Sequence, residues 1–197
     1  MGDGDHRADL DFGTGARSGR RGHVIRLNPK TGKRHLDWLT WGLLPYATEN
    51  PDTAPRPIHA RAETVAELPM FAEAFRKRRA IVPAAEYYQQ RTKGGPKERY
   101  AISRQDGRPM AIAGLWESHV WPDGRMELTY CSITIAANAV VAPIHDLMPL
   151  VLEEMIGRYG WAKHRAIRRR SCTRLPVTCL CFGCWDSGWR GPDSFAR

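Results

Sequence analysis

The chain has 197 residues, of which 42% are hydrophobic and 26% charged, with 30 Lys+Arg against 21 Asp+Glu for a formal net charge of +9. That is the profile of one soluble globular domain, and no apolar stretch approaches the roughly 20 residues that a membrane-spanning helix needs. The surplus of cations suggests a polyanion partner, most simply nucleic acid.

Residues 1–22, "MGDGDHRADLDFGTGARSGRRG", are rich in glycine and charge and lack a periodic apolar face, so a flexible N-terminal segment is expected. They also lack the apolar centre of a secretory signal, which makes the cytoplasm the expected compartment. "HVIRLN" (23–28) and "HLDWLTWGLLPY" (35–46) read as two strands of a hairpin, with Gly32 in the turn. Prolines 45, 51, 55 and 57 make 47–60 a surface loop. In 62–79, Leu68, Phe71, Ala74 and Phe75 recur at helical spacing, with Pro69 suited to a first turn and Arg76–Arg79 to a C-terminal end.

"AIVPAAEYYQQR" (80–91) reads as one strand. "RYAISRQ", "PMAIAGLWESHVW" and "MELTYCSITIAA" follow, joined by "DGR" and "PDGR" turns, which predicts three consecutive antiparallel strands. Residues 152–164 suggest a short helix, and 165–197 show little periodicity. The predicted fold class is α+β: a mainly antiparallel β-sheet or barrel with a few peripheral helices, its main domain spanning 23–164 between the flexible start (1–22) and a divergent C-terminal segment (165–197).

Four stretches carry candidate chemistry. In "APIHDLMP", His145 sits on a loop stiffened by Pro143 and Pro149, where it either packs as a core histidine or presents a fixed imidazole for proton transfer. In "PIHARAET", His59, Arg61 and Glu63 alternate; in an extended segment they share a face suited to a phosphate or sugar oxygen, or simply to solvent. "EYYQQR" (86–91) sets aromatics beside Gln89, Gln90 and Arg91, a combination that can stack bases. "RKRR" (76–79), with Arg78 and Arg79, is a phosphate-contact candidate or a helix end. Cys172, Cys179, Cys181 and Cys184, with His164 nearby, have x6, x1, x2 spacings that fit no common zinc module. Reduced thiols with no bound metal are expected, and a thiol or metal protein is the alternative.

Taken in order, "WGLLPY" (41–46), "HARAETV" (59–65), "RRAIVPAAEYYQQR" (78–91), "AGLWE" (113–117) and "AANAVVAPIHDLMPLVL" (136–152) resemble the SRAP family, the SOS response-associated peptidases or abasic site processing proteins. The resemblance covers about 23–164 and implies a β-rich α+β domain that binds single-stranded DNA at abasic sites in the DNA damage response. It requires no cofactor. In that family a cysteine following the initiator methionine forms a thiazolidine crosslink with the opened sugar. A glutamate in "YEW" and the histidine of "HDRMP" assist, an asparagine in "NARAE" helps hold the lesion, and arginines grip phosphates.

Mapped residue by residue, the resemblance makes His145 the matching catalytic histidine and puts Gln89 at the glutamate position. Gly2 takes the cysteine position, and His59 that of the asparagine. Arg61, Trp41, Arg78, Arg79, Gln90 and Arg91 complete the expected DNA-binding set. Leu147 replaces the arginine of "HDRMP", Ala47 replaces a tryptophan, and no cysteine precedes Cys131. An amide cannot transfer protons as a carboxylic acid does, so crosslinking, and with it peptidase or lyase activity, is expected to be impaired. The alternative is a non-catalytic single-strand-binding module. A nucleoid-associated monomer is expected.

Overall fold

A hairpin opens the fold. β1 (Arg21–Leu27) pairs antiparallel with β2 (Arg34–Trp41), with Ile25 opposite Leu36 and His23 opposite Trp38. Its turn is closed by the backbone N–H of Gly32 donating to the Asn28 carbonyl at 2.9 Å, and Gly32 takes a φ of +64° that its lack of a Cβ makes inexpensive. The computed structural model describes residues 18–91, 98–105 and 107–152. Residues 1–17 and 153–197, with Gly2, all but the first residue of the expected helix 152–164 and the four C-terminal cysteines, lie outside the described residues, and the expected flexible start (1–22) already enters β1 at Arg21.

After the proline-rich loop comes β3 (His59–Arg61), then α1 (Pro69–Lys77). The helix is shorter than the expected 62–79. Pro69 takes the first helical position, so the helix starts there; 62–68 form turns instead. Phe71, Ala74 and Phe75 are its buried face. The expected single strand 80–91 divides at Ala85 into β4 (Arg79–Ala84) and β5 (Glu86–Gln90), which belong to different sheets. β6 (Arg99–Ser103) pairs with β5 alone in a two-stranded ribbon. This corrects the expected run of three consecutive strands, because β7 (Met110–Val120) pairs not with β6 but with β8 (Met126–Ala136) and β4. The pattern of hydrophobic residues marked the strands; their partners depend on contacts distant in sequence.

β7, β4, β1, β2 and β8 pair in succession, and β8 returns to β7, closing a five-strand barrel. The β2–β8 step is parallel. β3 also pairs parallel to β8, and β9 (Leu147–Pro149) pairs antiparallel to it, while β10 (Val151–Leu152) adds to β7. The sheet is thus mainly antiparallel, with one helix among the described residues, and the architecture matches the expected class.

The main core gathers Leu43, Val65, Phe71, Phe75, Ile81, Leu115, Cys131 and Ile133; a second cluster holds Val24, Leu39, Trp116 and Tyr130. Barrel closure brings β7 close to its neighbours at Gly114, the glycine of "AGLWE". A Cβ there would lie 2.9 Å from the Cys131 carbonyl oxygen and 3.1 Å from the Val82 Cγ2. Gly114→Ala therefore forces backbone apart and should cost about 1–3 kcal/mol in urea unfolding. An unchanged midpoint would contradict this account of closure.

Candidate nucleic-acid interface

β8 positions most of the site. Its side chains alternate: Cys131 and Ile133 enter the core, whereas Tyr130, Ser132 and Thr134 line an open cavity of about 1010 Å³. β3 lies along one edge of the outer half of β8, with His59 opposite Ser132, Ala60 opposite Ile133 and Arg61 opposite Thr134. β9 lies along the other edge, with Pro149 opposite Thr134 and Leu147 opposite Ala136. Adjacent strands are roughly 4.8 Å apart, so β3 and β9 flank β8 at roughly twice that separation. The tip of β5 supplies a further wall.

His59, Arg61, Trp41, Gln89, Gln90 and His145 all line this cavity, although they come from four separate parts of the chain. His59 Nδ1 is 2.7 Å from Ser132 Oγ. The Trp41 indole meets the His59 ring edge-on at 5.6 Å, and its Nε1–H donates to the Ile58 carbonyl at 2.9 Å, fixing both rings. Part of His59 is open to the cavity, yet the surrounding walls desolvate the ring and lower its pKa below the ordinary value, favouring the neutral imidazole. Arg61 is exposed, 3.4 Å from Glu63 through Nε, a weak surface contact that leaves the guanidinium open to a phosphate.

His145 is partly buried, and the core-histidine reading does not describe it. A turn in which its own N–H donates to the Val141 carbonyl at 3.0 Å holds the loop. The Leu147 backbone N–H lies 2.9 Å from His145 Nδ1 and the Leu147 carbonyl oxygen 3.2 Å from the same nitrogen, so the Leu147 backbone anchors that edge of the ring. Leu147, at the position of the missing arginine, lines the same cavity and brings no charge. Burial pushes the phenols of Tyr87 and Tyr130, two of the cavity tyrosines, up to about 12, so these two remain neutral donors.

The other three expected DNA-binding arginines lie elsewhere. Arg78 Nε is 2.8 Å from Glu117 Oε2, and Nη2 donates to Oε1 at 2.9 Å; Glu117 is 2% exposed. The glutamate of "AGLWE" thus holds a helix-end arginine in the fold, although burial still raises its pKa against the opposing effect of Arg78. Arg79 is half-buried and lines a separate crevice beside Arg26 and Arg34. Arg91 is 3.4 Å from Glu98 and also contacts the Tyr100 hydroxyl. Basic sequence runs show where charge lies along the chain; they do not show which carboxylate comes to meet it.

Several cavity residues lay outside the expected set: Arg20, Arg21, His23, Trp38, Arg99 and Ser132. The cross-strand register, which the hairpin pattern could have supplied, pairs His23 with Trp38. Among the described residues, no three His, Cys, Asp or Glu side chains gather as a metal site, and Cys131, buried in the core, has its thiol pushed up to about 12.

The lowered pKa of His59 has a consequence with a definite sign. Below about pH 6.5 the unfolded ring takes up a proton that the folded ring resists, so its contribution to stability is present above 6.5 and is lost as pH falls through the folded pKa. Unfolding midpoints measured just below pH 6.5 should therefore fall more steeply for the parent chain than for His59→Asn; parallel curves would show that the ring is as solvated folded as unfolded.

The family model for SOS response associated peptidase (SRAP) matches residues 16–174. The chain is 33% identical over 133 residues to the abasic site processing protein YobE of Bacillus subtilis, covering 67% of this chain and 61% of that protein. It is 31% identical over 135 residues to the abasic site processing protein YedK of Escherichia coli, covering 68% and 59%. A crystal structure from Bacteroides thetaiotaomicron superposes with a TM-score of 0.59 at 26% identity, over 68% of this chain and 60% of that one. The match thus spans about 60% of the length of these curated relatives. Among the described residues no helix is long and apolar enough to cross a membrane. With a family model matching well over half its length, the chain belongs to the SOS response associated peptidase (SRAP) family.

Proposed function

We propose that this chain binds single-stranded DNA at abasic sites through the cavity beside β8, in the response to DNA damage, and that it forms stable covalent adducts poorly. The observation that carries the reading is the convergence of Trp41, His59, Arg61, Gln89, Gln90 and His145 on one cavity. The lining also holds four arginines, Arg20, Arg21, Arg61 and Arg99, against one carboxylate, Glu86, a balance that suits a sugar-phosphate chain. The names of the relatives, abasic site processing proteins, support the same substrate. Such a role would place the protein with nucleoid DNA, as a monomer needing no cofactor.

In the bound state Arg61 neutralises a phosphate and His145 meets an oxygen of the opened sugar through Nε2. His59, neutral and held by Ser132, fills the place of the family asparagine and can accept or donate one hydrogen bond there. Gln89 can orient the sugar but has no carboxyl proton to deliver to it, and the buried thiol of Cys131 faces the core. Binding without efficient crosslinking, peptidase or lyase chemistry is the activity that fits these side chains.

Two measurements test this. Incubation with single-stranded DNA carrying an abasic site, followed by heat and a denaturing gel, should leave little or no protein–DNA adduct, and a heat-stable adduct in high yield would overturn the impairment. Arg61→Ala should weaken binding alike across sequences and lower the slope of log affinity against log salt by about one. An unchanged slope would remove Arg61 from the phosphate track.

A further inference from the structure

We propose that Trp38 and His23 form a nucleobase-stacking subsite at the β1–β2 wall of the cavity, so that the chain holds an intact base beside the lesion. This rests on the reading of the cavity as a single-stranded DNA site and adds the class of group that the site recognises: the flat face of a base, purine better than pyrimidine.

Trp38 lies in the middle of β2, where a large aromatic would be expected to pack, yet it is 52% exposed and lines the cavity. One exposed aromatic is ordinary; three further features set this one apart. His23, directly opposite on β1, brings its ring centroid to 3.9 Å from that of Trp38 at 42°, so the indole is supported from one side and open on another. The preceding arginines, Arg20 and Arg21, line the same cavity. The main chain that carries them is held against β2, where the Trp41 N–H donates to the Arg20 carbonyl at 2.9 Å and the Gly19 N–H to the Trp41 carbonyl at 2.8 Å. Across the cavity, the guanidinium of Arg99 lies 4.0 Å over the ring of Tyr88, a second aromatic–cation pair.

An aromatic with one face supported, in a cavity that also holds exposed cations, matches what a base and its two phosphates require: a π-surface for the ring and positive charge for the backbone. Stacking of this kind tolerates every base and strengthens with ring area, so the subsite predicts a graded preference and not a sequence code. The alternative, that Trp38 and His23 merely pair across strands to steady the hairpin, predicts an effect on folding and none on the choice of flanking base.

The experiment uses the full chain and fluorescently labelled single-stranded oligonucleotides of one length. Each carries a central tetrahydrofuran lesion analogue flanked by adenine, by thymine or by a further tetrahydrofuran, and binding is read by anisotropy. The parent chain should bind in the order adenine, thymine, tetrahydrofuran. Trp38→Ala should lose roughly 5- to 150-fold on the adenine-flanked strand, equivalent to about 1–3 kcal/mol of stacking. Its salt slope should stay unchanged, and Trp38→Phe should retain most of the preference. Arg61→Ala should lower the salt slope and keep the preference. A parent chain indifferent to the flanking base, or a preference that survives Trp38→Ala, overturns the subsite alone. Failure of the parent chain to bind any of the strands overturns the DNA reading and the subsite together.

Discussion

The structure depends on β8 being hydrogen-bonded along both edges. Its first half closes the barrel between β7 and β2, and its second half carries β3 and β9 on opposite sides. Remove that double pairing and the barrel opens; so, too, does the arrangement that brings residues near 59 and 145 in sequence to the same place. Fold and candidate site therefore share one element, and neither can be described as scaffold for the other.

Burial sorts the charged residues into two populations. Arg78 and Glu117 are withdrawn from water and answer each other, as Arg56 and Glu127 do nearer the surface at 2.8 Å. Truncating one partner of the buried pair would leave the other without compensation, which is the costly case. The cavity arginines are of the other kind: exposed, loosely engaged and gathered around a space lined with aromatics. Net charge does not separate these two kinds of arginine, although only the second stands open to a polyanion.

Much of the fold was legible because its signals are local. Gly32 between two alternating apolar runs specified the first hairpin, and "PDGR" specified the turn between β7 and β8. The helix boundary was misjudged because Pro69 acts as a start signal, and the apolar periodicity before it belongs to turns. β9 and β10 went unseen: at three and two residues they have no period of their own and exist because β8 and β7 offer open edges. The same holds for the site. Alternation placed His59 and Arg61 on one face, and the proline-flanked loop singled out His145. The fate of Arg78, Arg79 and Arg91 was settled by partners that local pattern does not reveal. Trp38 and His23 meet only through the hairpin register, which the turn at Gly32 and the alternating runs around it imply.

Because successive side chains of β8 serve opposite masters, this strand has no tolerance for sliding. Moving it by a single position would turn Ser132 and Thr134 inward and expel Cys131 and Ile133, losing oily interior and binding wall in the same stroke. Length variation among relatives should consequently collect at the reverse turn of residues 122–125, the nearest place where an added or missing amino acid leaves the phase of the strand untouched.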